Sequence, residues 1–260
     1  MFATSGYDGA GPRPPKNKQG QPASFSDLPP GLKGIPALQT PAKLKKAARV
    51  GDVADNSNTQ FAMLALWAAR HHGVPVERAL ALVVKRFRTT QKADGAWLYQ
   101  EPNVIVSVEY PTMTCAGLIG LAVGHGMVNE AVGGKQKPEE DPDVARGLGR
   151  LAAVIGQPRQ RPLHERGPND PPIPLINMYY LWSMERVAVL YNLPTIQGKE
   201  WYPWGAEILL NNQRSDGSWH GGGAPGSDLT VDSCFALLFL SQANLAKDLS
   251  SKLQLLKKSG

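Results

Sequence analysis

Cysteine is nearly absent: only Cys115 and Cys234 occur in 260 residues. Two thiols exclude a disulfide-built scaffold and a four-cysteine zinc site. Long hydrophobic runs are missing too. No uninterrupted apolar stretch reaches the roughly 18–20 residues that cross a bilayer, so no transmembrane segment is expected. The opening MFATSGYDGAGPRPP has no basic stretch followed by an apolar one, so no secretory signal is expected and a cytoplasmic location is the default reading. No Gly-rich phosphate loop with its Lys-Ser/Thr is present, and no serine nucleophile elbow. Period-two alternation is lacking as well; Val104–Val108 is the one strand-like stretch. What remains is 42% hydrophobic residues, enough for a sizeable core.

Charge is unevenly spread. Residues 1–50 carry eight Lys/Arg against Asp8 and Asp27, which is the whole net charge of +6, and the rest of the chain balances. The aromatics of this segment, Phe2, Tyr7 and Phe25, are not interleaved with its charges. It reads as a basic Pro/Gly-rich linker or tail, and no nucleic-acid partner is expected. Residues 51–260 read as the folded domain.

That domain has helical spacing throughout, so the expected class is all-α. Four apolar inner helices begin near residues 58, 112, 177 and 231. Amphipathic outer helices are expected at 76–90, 141–155 and 199–212, with a partial fourth at 246–257. Two long loops are expected, Gly124–Pro142 and Gln157–Leu175. The helices repeat: Gly73-Val74-Pro75 aligns with Asn192-Leu193-Pro194, which places Asn58 on Asn177, Gln60 on Tyr179 and Phe61 on Tyr180. Further on, Gln91-Lys-Ala-Asp-Gly-Ala-Trp97 matches Gln213-Arg-Ser-Asp-Gly-Ser-Trp219. Helical hairpins of this kind bury their inner helices only by stacking on their neighbours.

The residues of those two segments carry a resemblance. Gln91, Gly95, Trp97 and Gln213, Gly217, Trp219 resemble the QW repeat of the terpenoid cyclase and prenyltransferase superfamily of α/α toroids. More narrowly, Asn56–Ala62, Tyr179–Arg186 and Ser233–Phe239 look like bacterial prenyltransferase/squalene-oxidase-repeat proteins. The resemblance implies a toroid of about six hairpins, of which this chain supplies about three and a half. A partial toroid leaves apolar surface uncovered, so self-association or a missing N-terminal half is expected. In physical terms the glutamine, the Asp-Gly turn and the tryptophan form a stability device: the amide satisfies open backbone groups at the next helix start while the indole covers it.

The family's chemistry transfers only in part. Its cyclases use a DxDD acid, which this sequence lacks. Glu139-Glu-Asp-Pro-Asp143 is acidic but opens an outer helix, where carboxylates act as solvated caps. Its protein prenyltransferases bind zinc through Asp-x-Cys and a later histidine. Asp232-Ser-Cys234 matches the pair, but no histidine follows and His220 precedes it. No metal and no cofactor is therefore expected, with Asp232 and Cys234 the weak candidates. The plain reading makes Asp232 a helix cap, as Asn58 and Asn177 are at the aligned positions, and Cys234 a small buried residue.

The candidate ligand-binding residues are Asn58, Gln60, Tyr179, Tyr180, Trp182 and Asp232, on the expected concave face of the inner helices. Aromatic linings of this kind suit apolar or carbocationic ligands. Glu185 and Arg186 are expected to pair with neighbours on a buried helix. Two functions follow as expectations: action on, or binding of, an isoprenoid or other apolar small molecule, with no reaction assigned; or a non-catalytic helical scaffold for a protein partner.

Overall fold

A computed structural model describes residues 30, 54–70, 72–101, 111–132, 137–156, 177–221, 228–242 and 247–254. The basic segment 1–50 (residue 30 aside), the strand-like Val104–Val108 and the loop Gln157–Leu175 lie outside them.

The fold is all-α. Its helices are α1 (Asn56–Arg70), α2 (Glu77–Thr90), α3 (Pro111–Val132), α4 (Pro142–Ala152), α5 (Met178–Leu190), α6 (Trp201–Asn212), α7 (Leu229–Ser241) and α8 (Lys247–Gln254). A single 3₁₀ turn, Pro138–Glu140, precedes α4. The only ladder among the described residues is a two-residue antiparallel pairing of β1 (Ala54–Asp55) with β2 (Gln100–Glu101).

The helices α1, α3, α5 and α7 pack side by side in chain order, forming the inner row. On the other side α2 bridges α1 and α3, α4 packs on α3, and α6 packs on α5. Gly205 of α6 brings that helix against the Phe239 ring of α7. Sequence chemistry fixes the helix starts. Asp55 accepts the backbone N–H groups of Ser57 and Asn58, Asn177 that of Tyr180 and Asp228 that of Val231. These are N-caps. The expected caps Asn58 and Asp232 are corrected by this: both lie inside their helices, three or four residues past the true cap. Of the aligned trio only Asn177 caps.

The repeat is visible bond by bond. Val74 N–H donates to Ala69 O and Leu193 N–H to Ala188 O, after left-handed Gly73 (φ 68°) and Asn192 (φ 53°). Both close their helices in the same way. α5 is shorter, 13 residues against 15 in α1, and the connection that follows it is longer.

Two features differ from the sequence reading. The segment expected as a loop from Gly124 is helix as far as Val132. Its glycines are demanded by packing, not by a turn: Gly126 sits against Trp67 of α1 and Leu249 of α8, and a Cβ there would overlap the leucine. By length and composition α3 could cross a membrane. Here it is the core helix, buried among α1, α2, α4, α5 and α8. Second, α8 is not an outer partner of α7. It lies across α3 and α5, with Ser250 Oγ donating to Val189 O at 3.5 Å.

Close approach of α2 to α3 rests on another glycine. A Cβ at Gly120 would run into the Phe87 ring. Gly120→Leu is therefore expected to overpack the core and cost about 1–3 kcal/mol, read as a lower urea midpoint at unchanged slope.

Candidate functional site

Three inner helices bring aromatic rings together near their N-terminal ends. Phe61 of α1 stacks on Tyr179 (6.0 Å between centroids) and on Trp182 (5.3 Å, 9° between planes) of α5. Phe235 of α7 tilts against Tyr179 at 5.6 Å and Trp182 at 5.1 Å. Offset stacking of this kind adds about 0.5–1.5 kcal/mol per pair beyond area burial. The outer member, Phe61, remains 45% exposed, so the cluster has one open face.

Polar groups lie beneath these rings. Gln60 is fully buried, and its Oε1 accepts the Tyr179 hydroxyl at 3.2 Å. Its Nε2 has no hydrogen-bond partner among the described residues, and neither has Trp182 Nε1. A buried donor left unmade costs about 1–3 kcal/mol, and among the described residues neither of these two meets an acceptor. Burial pushes the Tyr179 phenol well above its ordinary value, so it acts as a neutral donor.

Of the six ligand-binding candidates, the structure brings together Gln60, Tyr179 and Trp182, and adds Phe61 and Phe235. The other three are placed elsewhere. Asn58 is exposed and its Nδ2 donates to Asp55 at 3.0 Å. Asp55 also accepts the Tyr99 hydroxyl at 2.9 Å. Burial raises that carboxyl, but the bonds from Ser57, Asn58 and Tyr99 outweigh it and hold Asp55 below the usual carboxylate range. Tyr180 is packed in the core, where burial raises its phenol well above 10. Asp232 is buried in the first turn of α7, one turn before Phe235, and is committed locally, accepting Gly221 N–H at 2.7 Å and facing His220 Nδ1 at 3.3 Å. Cys234 is exposed, not buried, because among the described residues no further inner helix covers that side of α7. Asp232 and His220 thus meet without the thiol. Among the described residues no group of three His, Cys, Asp or Glu side chains is placed to hold a metal.

The two Gln-x-x-Asp-Gly-x-Trp turns have one construction. Trp97 Nε1 donates to Phe87 O and Trp219 Nε1 to Leu209 O, both at 2.8 Å. Gln91 Nε2 reaches Gly95 O and Gln213 Nε2 reaches Gly217 O. Asp94 and Asp216 accept the N–H two residues on, while Gly95 (φ 89°) and Gly217 (φ 84°) take the left-handed position. In the first turn Gln91 Nε2 also donates to Asp143 O at 2.9 Å, in the first turn of α4.

Sequence reasoning missed the joint beside that contact. Asp141 caps α4 and is half-buried, with its side chain only 8% exposed, not solvated. It accepts Arg88 of α2 at 2.6 Å and meets His125 Nε2 of α3 at 2.8 Å. Burial pushes His125 below its ordinary value despite the neighbouring carboxylate. Asp141, although burial raises it, is held below its own by Arg88 and the cap bond. The three residues fasten three helices at the outer layer. The only local signal was the Asp-Pro start of α4.

Glu185 and Arg186 pair with each other. Arg186 Nε and Nη2 each reach a Glu185 oxygen at 2.7 Å, and both side chains are buried. Burial raises the Glu185 carboxyl to about 7 even with the guanidinium beside it.

Comparison with protein-family models, with curated proteins and with solved structures found no match for this chain.

Proposed function

We propose that this chain is a helical-repeat protein of the terpenoid cyclase/prenyltransferase kind that holds an isoprenoid or other apolar small molecule on the aromatic face of its inner row. The observation that carries the reading is the convergence of Phe61, Tyr179, Trp182 and Phe235 beside two buried donors, Gln60 Nε2 and Trp182 Nε1, that lack partners among the described residues. Apolar walls with few fixed polar groups are the usual make-up of a small-molecule site. The matching turns at Trp97 and Trp219 support the family part, since both glutamines and both indoles make the same bonds. No reaction is assigned: the DxDD acid is absent from the sequence.

The test is a titration of the purified protein with a C15 prenyl alcohol, followed by tryptophan fluorescence. Saturable binding is expected, weakened at least about tenfold in Phe61→Ala and Trp182→Ala, each checked for retained helicity. Absence of binding, or unchanged affinity in both variants, overturns the proposal.

A second reading, a scaffold that binds protein, has one observation of its own. The outward side of α7 leaves Leu237 57% exposed beside exposed Val231 and Cys234. Light scattering distinguishes the two: a dimer or larger particle that Leu237→Lys converts to monomer favours the scaffold.

A further inference from the structure

We propose that the joint of Arg88, His125 and Asp141 is an acid-operated latch. It holds α4 against α2 and α3 while His125 is neutral, and releases α4 when that imidazole takes a proton.

The geometry carries this. Both side-chain partners of Asp141 use one oxygen: Arg88 Nη2 lies 2.6 Å and His125 Nε2 2.8 Å from Asp141 Oδ2. The other oxygen caps α4, 2.9 Å from the N–H of Asp143. A neutral imidazole suits this arrangement, with Nε2–H donating to the carboxylate and Nδ1 left as a lone pair. His125 Nδ1 is buried without a hydrogen-bond partner among the described residues, and the side chain is only 4% exposed. Protonation changes two things at once. Nδ1 becomes an N–H with nothing to donate to, which is costly when buried. An imidazolium also joins a guanidinium on a single carboxylate oxygen, and a buried charge without its own partner is costlier still.

The surrounding charges are few. Arg88 of α2 also reaches Asp143 Oδ2 at 2.9 Å, and Asp143 pairs in turn with Arg146 of α4. Two cations and two carboxylates thus balance before any proton arrives at His125. Glu139 of the 3₁₀ turn attracts that proton but is exposed. On α5, burial pushes the Tyr191 phenol well up, so it stays neutral and donates to Leu118 O at 2.8 Å. From α1, Arg70 pairs with Glu130 farther along α3, and Lys247 of α8 is exposed. Burial lowers the His125 imidazole and Arg88 adds to the fall, against the pull of Asp141 and Glu139. The closed joint therefore excludes a proton that the opened one accepts. The latch is fully closed above the ordinary imidazole value of 6.5 and weakens as pH falls below it.

What opens is a small element. α4 buries Val144, Gly147 and Leu151, and Gly147 sits directly on Leu118 of α3. Beyond the joint, Gln91 Nε2 holds Asp143 O. Local opening draws on elements with few buried contacts. Release of α4 uncovers Leu118 and the apolar flank of the core helix.

The test is backbone amide exchange of the full chain at pH 7.5 and pH 5.5, corrected for intrinsic rates. Protection of residues 145–152 is expected to fall severalfold, up to about tenfold, the limit for one excluded proton. Protection of α5 is expected not to share that fall. His125→Gln donates to Asp141 but takes no proton, and is expected to lose the step. Arg88→Gln removes the competing cation; it is expected to lower protection at both pH values and to shrink the step. Unchanged α4 protection between the two pH values overturns the latch, as does an equal fall in α5. A step that survives His125→Gln also overturns it. Should that variant not fold, an undiminished step in Arg88→Gln does the same.

Discussion

Trp97→Ala is expected to cost about 3–5 kcal/mol, the range for emptying a fully packed aromatic position, and to lower Tm by roughly 10 °C in a chain of this size. The residue has no exposed surface. Its ring meets Phe87 edge-on at 6.4 Å, and α3 leaves room for it at Gly117, where a Cβ would overlap the indole. Its N–H is committed to Phe87 O. Truncation thus opens a cavity between α2 and α3 and leaves a carbonyl without its donor. Trp97→Phe separates the two effects: it keeps most of the packing and is expected to cost about 1–3 kcal/mol for the lost bond. Trp219→Ala is expected to behave like Trp97→Ala, since Trp219 makes the same bond in the second turn. A loss under about 1 kcal/mol at either position, measured by urea unfolding, contradicts the reading of these turns as stability devices.

Arg186→Met is expected to destabilise the fold by about 3–5 kcal/mol at pH 8, because it strands Glu185 as an unpaired buried charge. The double change Glu185→Leu with Arg186→Met is expected to be neutral or stabilising by about 1–4 kcal/mol. The pH dependence follows from the direction of the Glu185 shift. The folded carboxyl titrates at about 7, above its ordinary 4.5, so between those values the folded state holds a proton that the unfolded chain releases. Stability from this group is therefore greatest below about 4.5 and declines as pH rises to about 7. Removing Arg186 takes away the group that lowers the carboxyl, so the decline extends to higher pH. The double variant loses this slope. Urea midpoints at pH 5, 6, 7 and 8 for the three proteins give the comparison. An Arg186→Met protein equally stable at pH 5 and pH 8 would show that Glu185 is hydrated rather than buried.

Local chemistry was legible in the sequence; partners far apart in the chain were not. The turns at 91–97 and 213–219 were readable because their bonds close within ten residues. The bounds of α2 and α5 were readable from Thr90 and Asn177 for the same reason. Asn58 and Asp232 were misplaced because each stands a few residues beyond an aspartate, Asp55 or Asp228, that caps the same helix. Only backbone geometry decides between two such candidates. The continuation of α3 past Gly124 was hidden because glycine reads as a breaker until the side chains that crowd it are known. His125 and Asp141 are 16 residues apart, and nothing local marks them as partners. Within the candidate site, Gln60 and Tyr179 came from repeat alignment and Trp182 from the aromatic residues of the inner helices. Phe61 and Phe235 were in plain view, yet only the crossing of three helices makes them one cluster.

The placement of α8 changes what kind of object the row of helices is. A linear array whose units touch only their neighbours can fray from either end, and its stability is a sum of local terms. Here the last described helix reaches back to α3 and α5, skipping α7. That return contact closes a loop of more than a hundred residues, whose entropy must be given up before the contact forms. Assembly is thereby raised in contact order, and the seating of α3 and α5 is completed only when α8 arrives. Once α8 is seated, α3 cannot leave without dislodging it, so the middle of the row is bound to α8 in a single cooperative unit.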